Sequence, residues 1–187
     1  SRLMPGAKNR TLGLVGFGGI GTEVAKRAVP FGMKVIYFCR HPNPADDAAY
    51  GVQSVSMEEL LKESDYVVAA VPLTDQTFHL FNEECIAQMK AGSVLINIAR
   101  GPVVDEEALA QALASGHLGG CAVDVFPKEP CTDSVLTRYS NALLTPHSAT
   151  STAENSKATN FAAANNLVNY LKKDIDAKYV VVQGTRY

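Results

Sequence analysis

The chain has 187 residues, of which 47% are apolar and 19% are charged. That balance predicts one globular domain, with or without a small appendage, and excludes a disordered tail. A net charge of -2 argues against a nucleic-acid partner, which usually goes with a basic surplus. The sequence has no run of about 18 apolar residues and therefore no candidate membrane span, and its start lacks the apolar stretch of a secretory signal.

The spacing of the cysteines argues against a metal site. The four cysteines stand at positions 39, 85, 121 and 131, and no two of them form a C-x-x-C pair. Structural zinc sites need closer ligand spacings, so no metal is expected. A reducing compartment is the simplest interpretation, and we expect a cytoplasmic protein.

Apolar runs and helical patterns alternate along the first part of the chain. In chain order the predicted elements are a strand at 11–16, a helix at 20–31, strands at 35–38 and 65–71, a helix at 82–89, a strand at 93–97, a helix at 105–115, and strands at 120–125 and 142–145. Asn82 and Asp105 are the expected N-caps, and Gly116 is the expected stop of the third helix. Residues 41–47, rich in proline and acids, predict a loop. Continuous apolar strands between amphipathic helices indicate an α/β fold, with a doubly wound parallel sheet of the Rossmann type.

The end of the chain has a different pattern. Residues 152–173 predict one long helix, with Phe161, Ala164, Val168 and Leu171 on one stripe. A strand-like segment follows at 179–182. This tail either crosses to a second domain or packs on its own.

A glycine-rich motif connects the first predicted strand to the first predicted helix. Residues 16–21 have the sequence G-F-G-G-I-G, which matches G-x-G-x-x-G in the context that favours dinucleotide binding. Gly16 permits a tight turn, Gly18 lets the backbone approach a pyrophosphate, and Gly21 allows close packing of the helix on the strand. The helix N-terminus supplies N–H groups and the positive end of a dipole. The alternative is a glycine-rich turn that holds no ligand.

The residues after the second predicted strand discriminate between the two nicotinamide dinucleotides. In NAD binders an acidic residue about 20 positions beyond the motif bonds the ribose hydroxyls. Here that position is Cys39, followed by Arg40 and His41. An arginine can bind a 2′-phosphate through two bonds, whereas a carboxylate would repel it. We therefore predict NADP(H) ahead of NAD(H); alternatively, Arg40 is an ordinary solvated charge or stacks on adenine in an NAD site.

Three further blocks resemble the D-isomer-specific 2-hydroxyacid dehydrogenases, and the likeness runs from about residue 11 to about residue 172. The blocks are INIARGPVVD at 96–105, AVDVFPKEP at 122–130 and LTPH at 144–147. They follow the glycine motif in the family's order. The segment VPLT at 71–74, together with Thr77, also looks like the family's cofactor-lining loop.

The resemblance implies a role for four side chains. Arg100 would bind the carboxylate and carbonyl of a 2-oxo acid, and His147 would be the acid/base. Glu129 would hydrogen-bond His147, and Asp124 would hold the nicotinamide end of the cofactor. The residue types suit the reaction, because ketone reduction needs a hydride from nicotinamide and a proton from a group such as histidine, whose unperturbed pKa is about 6.5. Taken singly, each has another interpretation: a surface charge for Arg100, a loop carboxylate for Glu129 and a turn residue for His147.

The motifs and the resemblance together give one predicted set of cofactor-binding residues. Its members are Gly16, Gly18, Gly19, Ile20, Gly21, Cys39, Arg40, His41, Val71, Pro72, Thr77, Ile98, Ala99, Arg100, Asp124, His147 and Ala149.

The start of the chain departs from the family pattern. Family members have a long first segment that forms most of the substrate domain, whereas only ten residues precede the first predicted strand here. We therefore expect a dinucleotide-binding domain at 1–150, and at 151–187 a C-terminal helix and tail left from a mostly missing substrate domain. On this view the chain is an excised or incomplete piece of a longer protein, able to bind cofactor but poor in turnover.

Two classes of function remain open from the sequence. The first is an oxidoreductase, an NAD(P)-dependent D-2-hydroxyacid dehydrogenase that reduces a small 2-oxo acid such as glyoxylate or hydroxypyruvate. The second is a cofactor-sensing binding module, because some corepressors share the fold and the three catalytic residue types. A hydrolase of the adenosylhomocysteine type fits less well, since it lacks the blocks around Glu129 and His147. By analogy with the family, we expect a homodimer.

Overall fold

A computed structural model describes residues 6–176 and residue 179. Within them, seven strands form a single sheet. Their bounds are β1 Thr11–Val15, β2 Lys34–Phe38, β3 Gln53–Ser54, β4 Tyr66–Ala69, β5 Val94–Asn97, β6 Gly120–Val123 and β7 Ala142–Leu144. Every pairing is parallel, and the order is β3-β2-β1-β4-β5-β6-β7. The predicted doubly wound parallel sheet is confirmed.

Six α-helices connect or follow these strands in the described part of the chain. Their bounds are α1 Gly19–Ala28, α2 Pro44–Tyr50, α3 Met57–Glu63, α4 Glu83–Ala87, α5 Glu106–Ala114 and α6 Ala153–Leu171. Short 3-10 helices occur at Val29–Phe31, Gly101–Val103 and Val135–Arg138. The helix predicted at 20–31 is therefore α1 and a 3-10 turn that contains Pro30.

The residues expected to begin and end the helices do so in the structure. Asn82 accepts a hydrogen bond from the Cys85 N–H and begins α4. Asp105 accepts bonds from the first turn of α5, and Gly116 beyond its end has a φ of +74°, a left-handed conformation that glycine tolerates best.

The prediction of a loop at 41–47 is wrong from residue 44 onward, where the chain is helical. There Pro44 opens α2, and the side chain of Asn43 caps it by accepting the Ala45 N–H. Proline fits the first turn of a helix, because its missing N–H would have no partner there. The short β3 and α3 were not predicted either; Ser56 caps α3 by accepting the Glu59 N–H.

Alternate strand residues divide the apolar core between the two faces of the sheet. Leu14, Val35 and Tyr37 belong to the cluster that α1 covers. Val15 and Ile36, their neighbours along the same strands, belong to the larger cluster that α3, α4 and α5 cover. Because successive side chains of a strand point to opposite faces, helices on both sides are needed to bury such continuous apolar strands.

The chain forms two compact units, Ser1–His147 and Ser148–Tyr187. The second unit contains α6, whose predicted apolar stripe of Phe161, Ala164, Val168 and Leu171 is exposed. The strand-like segment predicted at 179–182 lies, apart from Tyr179, outside the described residues. Among the residues described, no helix combines the length and apolarity that a membrane crossing would need.

Candidate functional site

The glycine turn lies at the carboxyl end of β1, beside the point where the strand order reverses. Gly16 has a φ of +103°, and a Cβ there would stand 2.4 Å from the Ala70 carbonyl oxygen. A Cβ on Gly21 would stand 2.4 Å from the Gly16 carbonyl oxygen. Both positions therefore require glycine for the protein's own packing. In open α/β sheets the crevice at such a reversal is the usual place of a ligand.

Gly18 and Gly19 differ, because nothing in the protein calls for glycine there. A Cβ on either residue would meet no atom of the described residues within 4 Å. Gly18 is the N-cap of α1, no side chain caps that helix, and no acid lies in its first turn. The first N–H groups and the positive dipole end of α1 are therefore available to an anion. This open, uncapped turn fits the pyrophosphate of a dinucleotide.

A cleft of about 480 Å³ opens next to this turn. It is lined by one residue of α1 and by the segments that follow β4 and β5: Ile20, Ala70, Val71, Pro72, Leu73, Ile98, Ala99 and Arg100. Its volume lies within the range of small-molecule sites. The structure thus brings together six of the predicted cofactor residues. Leu73 belongs to the segment 71–74 that was expected to line the cofactor, whereas Ala70, the residue before that segment, was not predicted.

Thr77, another predicted cofactor residue, is not among the residues that line the cleft. Its hydroxyl donates to the Pro72 carbonyl at 2.6 Å and accepts the Thr74 N–H at 2.8 Å. It therefore holds the shape of the loop from which Pro72 enters the cleft.

Cys39, Arg40 and His41 follow β2 directly. Arg40 and His41 are exposed, and Cys39 is half-buried. A carboxylate of the next helix, Asp47, faces inward, where it accepts the Tyr37 hydroxyl at 2.7 Å. Burial first, and Asp47 second, raise the pKa of Tyr37 to about 12, so its hydroxyl remains protonated and donates.

Arg100 stands on a turn that a buried side chain holds in place. Asn97, at the end of β5, is only 1% exposed. Its Oδ1 accepts the Ala99 N–H at 3.1 Å, and its Nδ2 donates to the Arg100 carbonyl at 3.1 Å. The exposed Arg100 side chain donates from Nη1 to the Ala99 carbonyl at 2.6 Å. A Cβ on Gly101 would overlap the Phe126 backbone, so the Arg100 turn lies directly against the segment after β6.

Glu129 and His147 form a close pair. His147 Nδ1 lies 2.7 Å from Glu129 Oε2, and Glu129 Oε1 accepts the Phe126 N–H at 2.9 Å. The hydrogen bond to His147 and that from Phe126 lower the pKa of Glu129, with smaller contributions from the charges of His147 and Arg100. An ionised carboxylate only accepts, so the imidazole donates from Nδ1. Nε2 is then the ring atom that can exchange a proton with a substrate.

Asp124 follows β6 and is 8% exposed. Its Oδ1 accepts the Thr145 hydroxyl at 2.6 Å, and its N–H donates to the Asn97 carbonyl at 3.1 Å. Thr145 follows β7, and its carbonyl accepts the His147 N–H at 3.0 Å. Backbone and side-chain bonds therefore connect the carboxyl ends of β5, β6 and β7, from which Arg100, Glu129 and His147 extend.

Two residues of this edge were missed by the sequence analysis. Asn97 and Thr145 lie inside the recognised blocks, each at a strand end, but their bonds depend on how the strands pair. Ala149, a predicted cofactor residue, belongs to the second unit, and its role remains a prediction.

Comparison with known proteins gives a consistent picture. Residues 2–149 match the family described as D-isomer specific 2-hydroxyacid dehydrogenase, NAD binding domain. A glyoxylate reductase of Thermococcus litoralis is 42% identical over 175 residues, which are 94% of this chain and 53% of the relative. A hydroxypyruvate reductase of Thermotoga maritima is 46% identical over 149 residues, 78% of this chain and 47% of the relative.

Solved structures resemble the fold over a similar length. The crystal structure of a glyoxylate reductase from Paecilomyes thermophila matches with a TM-score of 0.86 and 38% identity, over 92% of this chain and 52% of that one. D-lactate dehydrogenase from Aquifex aeolicus, complexed with NAD and lactic acid, matches with a TM-score of 0.84 and 33% identity, over 92% of this chain and 56% of that one. The chain spans about half the length of the curated relatives that it matches.

Proposed function

The chain belongs to the D-isomer specific 2-hydroxyacid dehydrogenase family, of which it carries the NAD binding domain, and on this premise we propose that it holds a nicotinamide dinucleotide for hydride transfer to a small 2-oxo acid. The relatives named as glyoxylate and hydroxypyruvate reductases favour short substrates of that class. Because the chain spans about half of those relatives, turnover belongs to the longer protein, and cofactor binding is the activity proposed for this chain alone.

The observation that carries the proposal is the 2.7 Å bond between His147 Nδ1 and Glu129 Oε2, on the same sheet edge as the glycine turn and Arg100. A glycine turn alone would suit any dinucleotide binder. A histidine held by an ionised glutamate, with an arginine charge close enough to act on that glutamate, suits proton transfer next to a bound carboxylate.

Each side chain of this edge has one proposed task. The bound nicotinamide would supply or accept the hydride. The Arg100 guanidinium binds the substrate carboxylate through its planar fork of donors. His147 gives a proton from Nε2 to the carbonyl oxygen during reduction and takes it back during oxidation. Glu129 holds the ring in place by accepting a hydrogen bond from Nδ1.

We propose NADP(H) ahead of NAD(H) for the cofactor. The support is the exposed Arg40 after β2, the absence of a carboxylate at residues 39–41, and the inward orientation of Asp47 toward Tyr37. A 2′-phosphate placed there would meet a guanidinium and no acidic side chain of that segment. The predicted homodimer is likewise a proposal by analogy with the family.

Fluorescence titration of this chain with NADPH and NADH tests the binding step. We expect saturable binding of both, with NADPH the tighter ligand. Turnover of glyoxylate or hydroxypyruvate by the longer protein tests the chemical step, followed by the loss of reduced-cofactor absorbance. Binding without any turnover there would instead support the cofactor-sensing module, and absence of binding by the folded chain would refute the proposal.

A further inference from the structure

The hydroxyl of Thr145 makes a short bond to a buried carboxylate at the edge of the site. Its Oγ1 lies 2.6 Å from Asp124 Oδ1, within the distance range of a hydroxyl donating to an ionised acceptor. Val123 pairs with Leu144 in the parallel ladder, so the next residue of each strand, Asp124 and Thr145, also lie side by side. The bond is therefore a consequence of the strand register.

Thr145 also determines where His147 stands. Its N–H makes the last ladder bond, to the Val123 carbonyl at 3.0 Å. Its carbonyl accepts the His147 N–H at 3.0 Å, which closes a three-residue turn around Pro146. After that turn His147 has a φ of +52°. One residue thus connects the buried Asp124 carboxylate, through its side chain, with the backbone that presents His147.

We propose that Thr145 is a positioning residue for the nicotinamide end of the cofactor, acting through Asp124. This inference rests on the proposed function and on the role that the family resemblance implies for Asp124, which is to hold that end of the cofactor. A carboxylate can rotate about its side-chain torsions, and a donor fixed to the neighbouring strand selects one orientation. The donor favours the orientation of Asp124 that a bound nicotinamide needs. The Asp124 side chain is therefore ordered before the cofactor binds, and less conformational entropy is lost on binding.

The substitution Thr145→Val removes the hydroxyl and keeps the size and branching of the side chain. The two backbone bonds of Thr145 remain, so the variant isolates its bond to Asp124. We expect NADPH and NADH to bind this chain about tenfold more weakly, because a hydrogen bond to a charged group is lost. Binding of ADP-ribose and its 2′-phosphate, which lack nicotinamide, should not change. Thr145→Ser, which restores a hydroxyl, should recover most of the affinity.

Thr137→Val is a matched control, because the Thr137 hydroxyl donates to the Ser134 carbonyl at 2.7 Å and has no bond to Asp124. It should bind every ligand as the parent chain does. In an Asp124→Ala background, Thr145→Val should cause no additional loss if it acts through that carboxylate. This cycle also decides the question if the single valine variant folds poorly.

Several results would overturn the inference. They are equal weakening of the dinucleotide and of the nicotinamide-free fragment, no weakening at all, no rescue by serine, or an undiminished effect in the Asp124→Ala background. Failure of the proposed function gives a different result, because the unsubstituted chain would then bind neither the dinucleotide nor the fragment.

Discussion

His147 and Glu129 form a hydrogen bond of 2.7 Å between Nδ1 and Oε2, although they are 18 positions apart in the chain. Glu129 is held a second time by the Phe126 N–H. A carboxylate fixed at both oxygens sets the orientation of the imidazole and the ring nitrogen that carries the proton. The pair therefore accounts for both the orientation of the His147 ring and its tautomer, with the hydrogen on Nδ1.

Replacing Glu129 with glutamine should make stability depend differently on pH. The pKa of Glu129 is lowered in the folded protein, chiefly by its bond to His147. A lowered folded pKa means that the carboxylate stabilises the fold above the carboxyl pKa of the unfolded chain, and that this contribution is lost as pH falls through the folded value. The difference in Tm between the parent chain and Glu129→Gln should thus be largest near neutral pH and shrink in acid. In a His147→Asn background, where the main partner is absent, a difference of unchanged size would contradict this explanation.

Substitution of His147 by asparagine should abolish reduction of a 2-oxo acid in the longer protein and leave cofactor binding intact. Asparagine tolerates the left-handed backbone of this position, so the variant tests the imidazole and not the turn. Loss of a general acid typically lowers the rate by a factor of about 100 to 10,000. Steady-state kinetics and cofactor titration measure the two effects. His79→Asn is the matched control, since His79 is also left-handed and also faces a carboxylate, Asp105 at 3.5 Å. Near-normal turnover of His147→Asn would refute the acid/base role.

Most of the sheet could be predicted from the sequence because its strands are continuous apolar runs, and buried parallel strands need no polar face. Helices α2 and α3 could not be found in that way, since seven residues are too few to establish a helical period. Their caps did carry a signal. Asn43 before Pro44, and Ser56 three positions before Glu59, are sequence patterns typical of a helix start.

In the candidate site, the residues of local motifs could be predicted from the sequence, but the contacts between distant residues could not. Gly16 and Gly18 belong to one local motif with a known structural context, so their place could be predicted. The bonds made by Asn97 and Thr145 join residues through a turn or across neighbouring strands. Those bonds follow from register and turn geometry, which a single sequence does not specify.

Asn97→Ala should destabilise the fold by about 2 kcal/mol. The Ala99 N–H loses its acceptor, and the Arg100 carbonyl loses the donor that Asn97 Nδ2 supplies. Urea denaturation measures this loss. Ser93→Ala is a suitable control, since the Ser93 hydroxyl is buried without a hydrogen-bond partner among the described residues. Removing it should cost almost nothing. Equal losses in the two variants would mean that the Asn97 bonds do not hold the Arg100 turn.

Arg40→Ala should weaken NADPH binding about tenfold and change NADH binding little, because only NADPH carries the phosphate that a guanidinium would bind. Fluorescence titration of this chain with both dinucleotides gives the ratio. Arg27→Ala is the matched control: Arg27 is an exposed arginine of the same unit, paired with Glu23. A parent chain that prefers NADH, or an alanine variant with the same preference as the parent, would contradict the proposed 2′-phosphate site.

Two glycines of the same turn should respond differently to alanine. Gly18 has a φ of -91°, which alanine adopts readily, and a Cβ there would have no neighbour within 4 Å in the part of the chain that the structure describes. Gly18→Ala should therefore fold with an unchanged or slightly higher Tm, yet bind the dinucleotide at least about tenfold more weakly, because the methyl group would stand where the pyrophosphate approaches the backbone.

Gly16→Ala should instead destabilise the fold, because the protein itself leaves no room for a side chain at that position. A left-handed φ and a Cβ 2.4 Å from the Ala70 carbonyl oxygen should lower the free energy of unfolding by at least about 2 kcal/mol. Thermal unfolding and cofactor titration of both variants separate the two effects, with Gly6→Ala, also open around its Cβ, as the control. Normal dinucleotide binding by Gly18→Ala would mean that the open space at the start of α1 is not where the phosphates bind, and the glycine turn would then be a feature of packing alone.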